Sequence, residues 1–172
     1  MLVYRHVAQP RRTWLLLISV AIANLADFDI LLGLLLLGDP RAFHHQGTHS
    51  LTAAVMVGCA VAALTKLWKG DGLRWGVWAG GVYLSHVFLD LLVNDPSPPF
   101  GAQVLWPFSD AYFISSVTPF RGFDYFDPER GMVWALLSVS NIGTCLWEAI
   151  LMAPMVGIGW YVRRFRQEDS YA

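Results

Sequence analysis

The amino-acid sequence predicts an all-α, polytopic membrane bundle of about four transmembrane helices with one long extracytoplasmic loop. Apolar residues make up 55% of the chain against 15% charged, and the mean hydropathy is +0.45, a balance that a soluble domain with its richer charge content does not show. Four stretches are long and apolar enough to approach the roughly 20 residues that a spanning helix needs. The 172 residues leave room for one membrane-embedded domain over 1–172.

Taken in order, the first stretch runs over 14–37, opens behind Arg11 and Arg12, and is interrupted by Asn24, Asp27 and Asp29. It continues well past a secretory h-region without a small-residue cleavage site, so it reads as a retained span. The second, 50–67, is rich in Ala, Val and Gly, and Thr48 or Ser50 could cap its start. The third, 73–93, carries His86 and Asp90 near its end. Residues 94–131 hold prolines, glycines and aromatics too broken to span, which reads as a loop with short helical turns across one mouth of the bundle. The fourth stretch, 132–162, carries Asn141, Glu148 and Pro154, and the proline is expected to kink it.

Charge gives orientation. Arg5, Arg11 and Arg12 precede the first span, Lys66, Lys69 and Arg74 surround the second-to-third turn, and Arg163, Arg164 and Arg166 follow the fourth. The positive-inside rule places those three ends, and therefore both termini, on the cytoplasmic side. The connections 38–49 and 94–131 then face outward. A net charge of -1 supplies no field that would draw nucleic acid. Cys59 and Cys145 both sit within apolar stretches and read as small hydrophobes rather than as a disulfide or a metal pair.

A carboxylate inside a span costs a few kcal/mol on insertion scales, so each one asks for a partner. Asp27 and Asp29 stand two apart, about 200° around a regular helix, and converge only if the helix breaks or ends there. The alternative is that one caps a half-helix beginning near Phe28. The segment His44-His45-Gln46-Gly47-Thr48-His49-Ser50 is the densest run of potential ligands. It reads as a loop-to-helix junction with His45 and His49 as candidates and His44 as the bystander, against a solvated histidine loop without a metal. His86 and Asp90 lie one helical turn apart and can chelate one ion, or the carboxylate can simply satisfy a buried imidazole. Glu148 is a further acid without a basic partner in the spans, and a divalent cation would supply the missing charge. Imidazole and carboxylate without thiolate suit zinc first, with manganese or iron as alternatives.

Four elements together carry a resemblance: Ala26-Asp27-Phe28-Asp29, His45-Gln46-Gly47-Thr48-His49-Ser50, His86 to Asp90, and Trp106-Pro107-Phe108-Ser109. In this order they resemble the YdjM-like, LexA-regulated membrane-bound metal-dependent hydrolases, a family that is distantly similar to zinc-dependent phospholipases C. Ala26 stands where that family has proline and Gln46 where it has arginine. The family's histidine ahead of the Asp-x-Asp element has no clear counterpart, since His6 sits among basic residues. The resemblance implies hydrolysis of a phosphoester or another lipid-type ester at the bilayer, with a metal-activated water. Asp27, His45, His49, His86 and Asp90 are then the expected metal ligands, Asp29 or Glu148 the catalytic base or an additional ligand, and Trp106 to Ser109 the substrate-side rim. The expected partners are the lipid bilayer and a small-molecule or lipid substrate, and the oligomeric state is left open. Two other functions fit the same residues: a component of an ion or proton transporter, or a non-catalytic stress-response membrane protein of the same fold.

Overall fold

The first apolar stretch does not form one helix. Helix α1 (Pro10–Ala23) stops where Asn24 turns its side-chain amide back onto the Val20 carbonyl, 2.8 Å away. Residues 24–27 run as turns, and α2 (Phe28–Leu37) then sets off with a bend of 48° between the two. Polar residues cluster at this break, and backbone freed from the helix ladder lets their side chains turn inward. Gly38, in the left-handed conformation at φ 70°, closes α2 by donating its N–H to the carbonyls of Gly33 and Leu34.

The computed structural model describes residues 10–95, 99–125, 127 and 129–168. Arg5 and His6 lie outside the described residues, as do the side chains of Arg11, Arg12, Arg163 and Arg166. The chain is mostly helical and divides into two compact units, Met1–Leu92 with Ser97–Ser116, and Val93–Pro96 with Val117–Ala172.

In the first unit, a 3-10 turn (Gly47–His49) leads directly into α3 (Leu51–Leu67), and α4 (Gly72–Asp90) packs back against it. Ser50 provides the cap of α3, its hydroxyl oxygen accepting the Ala53 N–H at 3.1 Å, and Asp71 caps α4 by accepting from Arg74. The α3–α4 hairpin is closed by small residues. A Cβ on Gly58 would lie 2.9 Å from the Gly76 carbonyl oxygen, and one on Gly76 would lie 2.7 Å from that of Gly58. Any side chain at either position would push the helices apart, the mode of packing that membrane helices use when solvent supplies no driving force. Helix α1 lies against α4, and Ala26, Ala54, Tyr83 and Val87 form the buried core where they meet.

The stretch after α4 returns to this unit. Ala102 and Phe113 exchange both backbone hydrogen bonds, Gln103 donates its N–H to the His45 carbonyl, and Leu51 donates to Val104. Gly101 is required at the start of this return, since its φ is +81° and a Cβ would collide with the Phe113 carbonyl.

The second unit pairs β1 (Val93–Asn94) in parallel with β2 (Phe120–Arg121) and continues through α5 (Met132–Leu136) into α6 (Val139–Glu168), which contains Pro154. The sequence reading of 94–131 as loop with helical turns thus gains two short strands. The stretch 132–162 starts as a separate short helix. Asn141 fastens this unit: its side chain accepts the Asp124 N–H and donates to the carbonyls of Asp124 and Ala135.

Among the described residues, Val139–Val162 is the one helix that is by itself long and apolar enough to cross a membrane, and the bent pair of α1 and α2 would make a second if it is one broken span. The 17 residues of α3 reach only about 26 Å at 1.5 Å per residue, short of the hydrocarbon core. The burial pattern is inverted relative to a water-soluble protein. Leu32, Leu35, Leu36 and Leu37 of α2 point outward, while Asp29 and Gly33 are its buried residues.

Candidate metal centre

Three segments of the first unit meet at one point: the break between α1 and α2, the loop that ends in the 3-10 turn, and the last two turns of α4. Each brings ionisable side chains. The break positions Asp27 and Asp29, the loop positions His44, His45 and His49, and α4 presents His86 and Asp90 on one face, four residues apart.

His49 is the centre of the arrangement and is fully buried. Its Nε2 lies 3.4 Å from Asp27 Oδ1 and 3.5 Å from Asp90 Oδ2, while its Nδ1 lies 3.2 Å from Asp29 Oδ2. The two-residue spacing of the aspartates therefore has a physical meaning. Side chains pointing in different directions from the break reach opposite edges of one imidazole. Asp27 occupies the N-cap position of α2 yet makes no capping hydrogen bond, so its carboxylate is committed to the histidines rather than to the helix end.

His86 completes the ring of donors. Its Nε2 is 3.3 Å from Asp27 Oδ1 and 3.4 Å from Asp90 Oδ2. Four atoms, alternately nitrogen and oxygen, thus form a closed circuit with edges of 3.3 to 3.5 Å. Moreover, His49 Nε2, His86 Nε2 and Asp90 Oδ2 are buried side-chain atoms without a hydrogen-bond partner. Orphaned buried polar atoms are rare in folded proteins, and three that face one point fit a cation there. Asp27, His49 and His86 alone offer ligand atoms within 4.8 Å of one another, so this cluster could hold a metal ion. Asp27 is the exposed member, its side chain 35% accessible, and gives the centre an open side.

Charge points the same way. Three carboxylates surround two imidazoles. Burial alone would push the His49 imidazole down, but the neighbouring carboxylates of Asp27, Asp29 and Asp90 lift it to about 9. The site attracts positive charge strongly enough to overcome desolvation. His45 behaves oppositely: burial, reinforced by His44 and His49, pushes it down to about 3, leaving it a neutral ring.

Of the residues expected from sequence as ligands, Asp27, His49, His86 and Asp90 come together in the circuit. His45 lies beside it, with its ring centroid 4.0 Å from that of His44 and 5.1 Å from that of His49. His44, His45 and His49 form a second group whose ligand atoms lie within 4.8 Å of one another. Asp29 is buried on the far edge of His49 with both oxygens engaged, Oδ1 by His44 Nδ1 at 3.1 Å and Oδ2 by the Thr48 hydroxyl. Glu148 lies on α6, in the other compact unit. The Trp106 ring packs over Gly47, where a Cβ would come within 3.1 Å of it, so the 106–109 element holds the ligand loop from outside. The Trp106 carbonyl also accepts the Thr52 hydroxyl at 2.8 Å.

Three participants were not assigned a role at the site from sequence. His44, read as a bystander, is bonded to Asp29. Thr48, read as a possible helix cap, is bonded to both Asp29 and His49, and the Tyr83 hydroxyl anchors the Thr48 carbonyl at 2.6 Å. The only sequence signal for Tyr83 is a phenol one turn before His86 on the same helix.

No curated protein and no solved structure matches the chain. The family model described as YdjM inner membrane protein matches residues 1–165, nearly the whole chain. With that match beside a buried histidine and aspartate cluster and an outward-facing apolar surface, the chain is a membrane protein and belongs to the YdjM inner membrane protein family.

Proposed function

We propose that this chain is a membrane-bound metal-dependent hydrolase whose centre is formed by Asp27, His49, His86 and Asp90, with zinc the best-suited ion and manganese or iron as alternatives. The observation that carries this reading is the convergence of ligand atoms of Asp27, His49 and His86 within 4.8 Å of one another, with Asp90 Oδ2 3.4 to 3.5 Å from both imidazole nitrogens. A divalent metal held there supplies a Lewis acid that polarises a phosphoryl or carbonyl oxygen and lowers the pKa of water to near 7.

The protein's own residues provide the rest. His49, at the end of the 3-10 turn, and His86, on α4, hold their Nε2 atoms toward one point, and Asp90 follows His86 one turn on. Asp27, about a third exposed, leaves the approach from solvent open. Asp29, which the resemblance implies as base or additional ligand, has both oxygens occupied, by His44 and Thr48, which suits it poorly to accepting a proton. The substrate class in this reading is a phosphoester or related ester presented at the bilayer, since the fold turns its apolar side chains outward. The four apolar stretches then all lie in the membrane, with the short α3 and the broken α1–α2 pair held by their neighbours, residues 94–131 outside and both termini in the cytoplasm.

A transport pathway would string its acids along one stripe of a pore, whereas His49, His86 and Asp90 converge with Asp27. Elemental mass spectrometry of the detergent-purified protein tests the metal directly. Stoichiometric zinc, manganese or iron, with chelator-sensitive cleavage of phosphoester or lipid ester substrates, is the expected result. Protein that takes up no metal on reloading defeats the reading.

A further inference from the structure

Resting on the metal-centre reading, we propose that Asp29 and Thr48 form a positioning pair that keeps a proton on His49 Nδ1, so that Nε2 is the nitrogen offered to the ion.

The geometry leaves little choice. Two polar groups, the Thr48 hydroxyl and Asp29 Oδ2, lie against His49 Nδ1. The Thr48 hydroxyl donates its single proton to Asp29 Oδ2, which leaves the Thr48 oxygen only lone pairs to offer elsewhere. That oxygen lies 3.1 Å from His49 Nδ1, and Asp29 Oδ2 lies 3.2 Å from the same nitrogen. Both neighbours of Nδ1 are therefore acceptors. A neutral imidazole facing two acceptors on one edge carries its proton there and its lone pair on the other nitrogen. The other nitrogen is Nε2, the buried atom without a hydrogen-bond partner that faces Asp27 and Asp90.

The pair is itself held. Asp29 is buried and its second oxygen receives His44 Nδ1 at 3.1 Å, so the carboxylate cannot rotate away without abandoning a second imidazole. The Thr48 backbone is fixed by the Tyr83 hydroxyl on its carbonyl. The chain from Tyr83 through Thr48 and Asp29 to His49 ties the orientation of one ligand to the core between α1, α3 and α4. Asp29 thus acts on the centre through His49, from the far edge of the ring, and is not a ligand. Carboxylates on the far nitrogen of a ligating histidine set both tautomer and ring orientation, and losing one costs about 10- to 100-fold in metal affinity.

The experiment uses the full chain in detergent, loaded with Zn²⁺ or Co²⁺. Its variants are Asp29→Asn, Thr48→Val and Thr48→Ser, and it reads metal affinity, the visible spectrum of the cobalt form and the ¹⁵N tautomer signature of His49. An asparagine must offer its NH2 group either to His44 or to the Thr48–His49 side, so one imidazole meets a donor where it had an acceptor. Asp29→Asn is expected to weaken zinc binding about 10- to 100-fold and to change the cobalt spectrum at unchanged helical content. Thr48→Val is expected to weaken it by less, and Thr48→Ser, which keeps the hydroxyl, to match the wild type. Wild-type protein should show His49 protonated at Nδ1 and metal-bound at Nε2.

Metal bound at His49 Nδ1, or zinc affinity of Asp29→Asn and Thr48→Val within twofold of wild type, would overturn the pair. So would a cobalt spectrum in Asp29→Asn that has lost one oxygen donor, since Asp29 would then be a ligand. Should Asp29→Asn fail to fold, Thr48→Val against Thr48→Ser decides alone. Wild type that binds no metal at all takes the metal-centre reading down with the pair, a failure visible without any variant.

Discussion

The two units of the chain each bury polar side chains, and they treat them in opposite ways. In the second unit Asn141 is 1% exposed and has all its surroundings arranged for it, one N–H to accept and two carbonyls to satisfy its amide. In the first unit His49 Nε2, His86 Nε2 and Asp90 Oδ2 are buried just as deeply and have no such partners. Leaving a buried polar group unsatisfied costs about 1–3 kcal/mol, more if it is charged. The chain completes the hydrogen bonds of one buried amide and leaves three atoms of a histidine and aspartate cluster open. Asn141 is a fastener, whereas the cluster could hold a metal ion.

The largest break of this comparison comes from removing a donor. His49→Ala and His86→Ala should each reduce bound metal from stoichiometric to undetectable by elemental mass spectrometry, because each takes one corner from the same circuit. Variants that keep the metal would show that the four atoms do not share an ion. Next in size is the effect of the ion on folding. Zinc at a hundred times its Kd should stabilise the wild type by about 2.7 kcal/mol, read as a raised thermal midpoint in detergent, and should leave His86→Ala unmoved. An equal rise in both would place the zinc elsewhere.

Asn141→Ala sharpens the other side. It strands the Asp124 N–H and the carbonyls of Asp124 and Ala135, and should cost about 1–3 kcal/mol of stability while the metal content per folded molecule stays at the wild-type value. Metal loss in that variant would tie the second unit to the centre and erase the distinction.

How much of this was legible in the sequence follows the same division. Apolar runs and their interruptions located the helices, because burial and hydrocarbon leave a strong mark on composition. The i, i+4 spacing of His86 and Asp90 gave the donors on α4, since a helix fixes which side chains share a face. Asp27 and Asp29 were legible only as an oddity. Their spacing separates them on a helix, and nothing local reveals that the break after Ala23 brings them to opposite edges of His49. The same limit applies to the loop. His44 and His45 are neighbours of equal chemistry, and their roles are set by a left-handed residue at His45 (φ 63°) and by the return of Gln103 to its carbonyl, both tertiary facts. Tyr83 and Thr48 meet across 35 residues, beyond the reach of any spacing rule.

The smallest expected effect tests whether the site owes its shape to the helix that follows it. Ser50 is fully buried directly after His49, accepts the Ala53 N–H as the cap of α3 and donates its own hydroxyl to the Gly47 carbonyl at 2.7 Å. It closes the 3-10 turn on one side and opens the helix on the other. Replacing it with alanine removes the cap, worth about 1 kcal/mol, and frees a carbonyl in the turn that presents His49. If the turn is held mainly by the Trp106 ring over Gly47 and by the Leu51 to Val104 bond, metal affinity should stay within a few-fold of wild type while the thermal midpoint falls. If affinity falls further than stability does, the cap belongs to the site's machinery, and the contrast drawn with Asn141 narrows. A polar residue would then be fully satisfied by the protein and still kept for the ion.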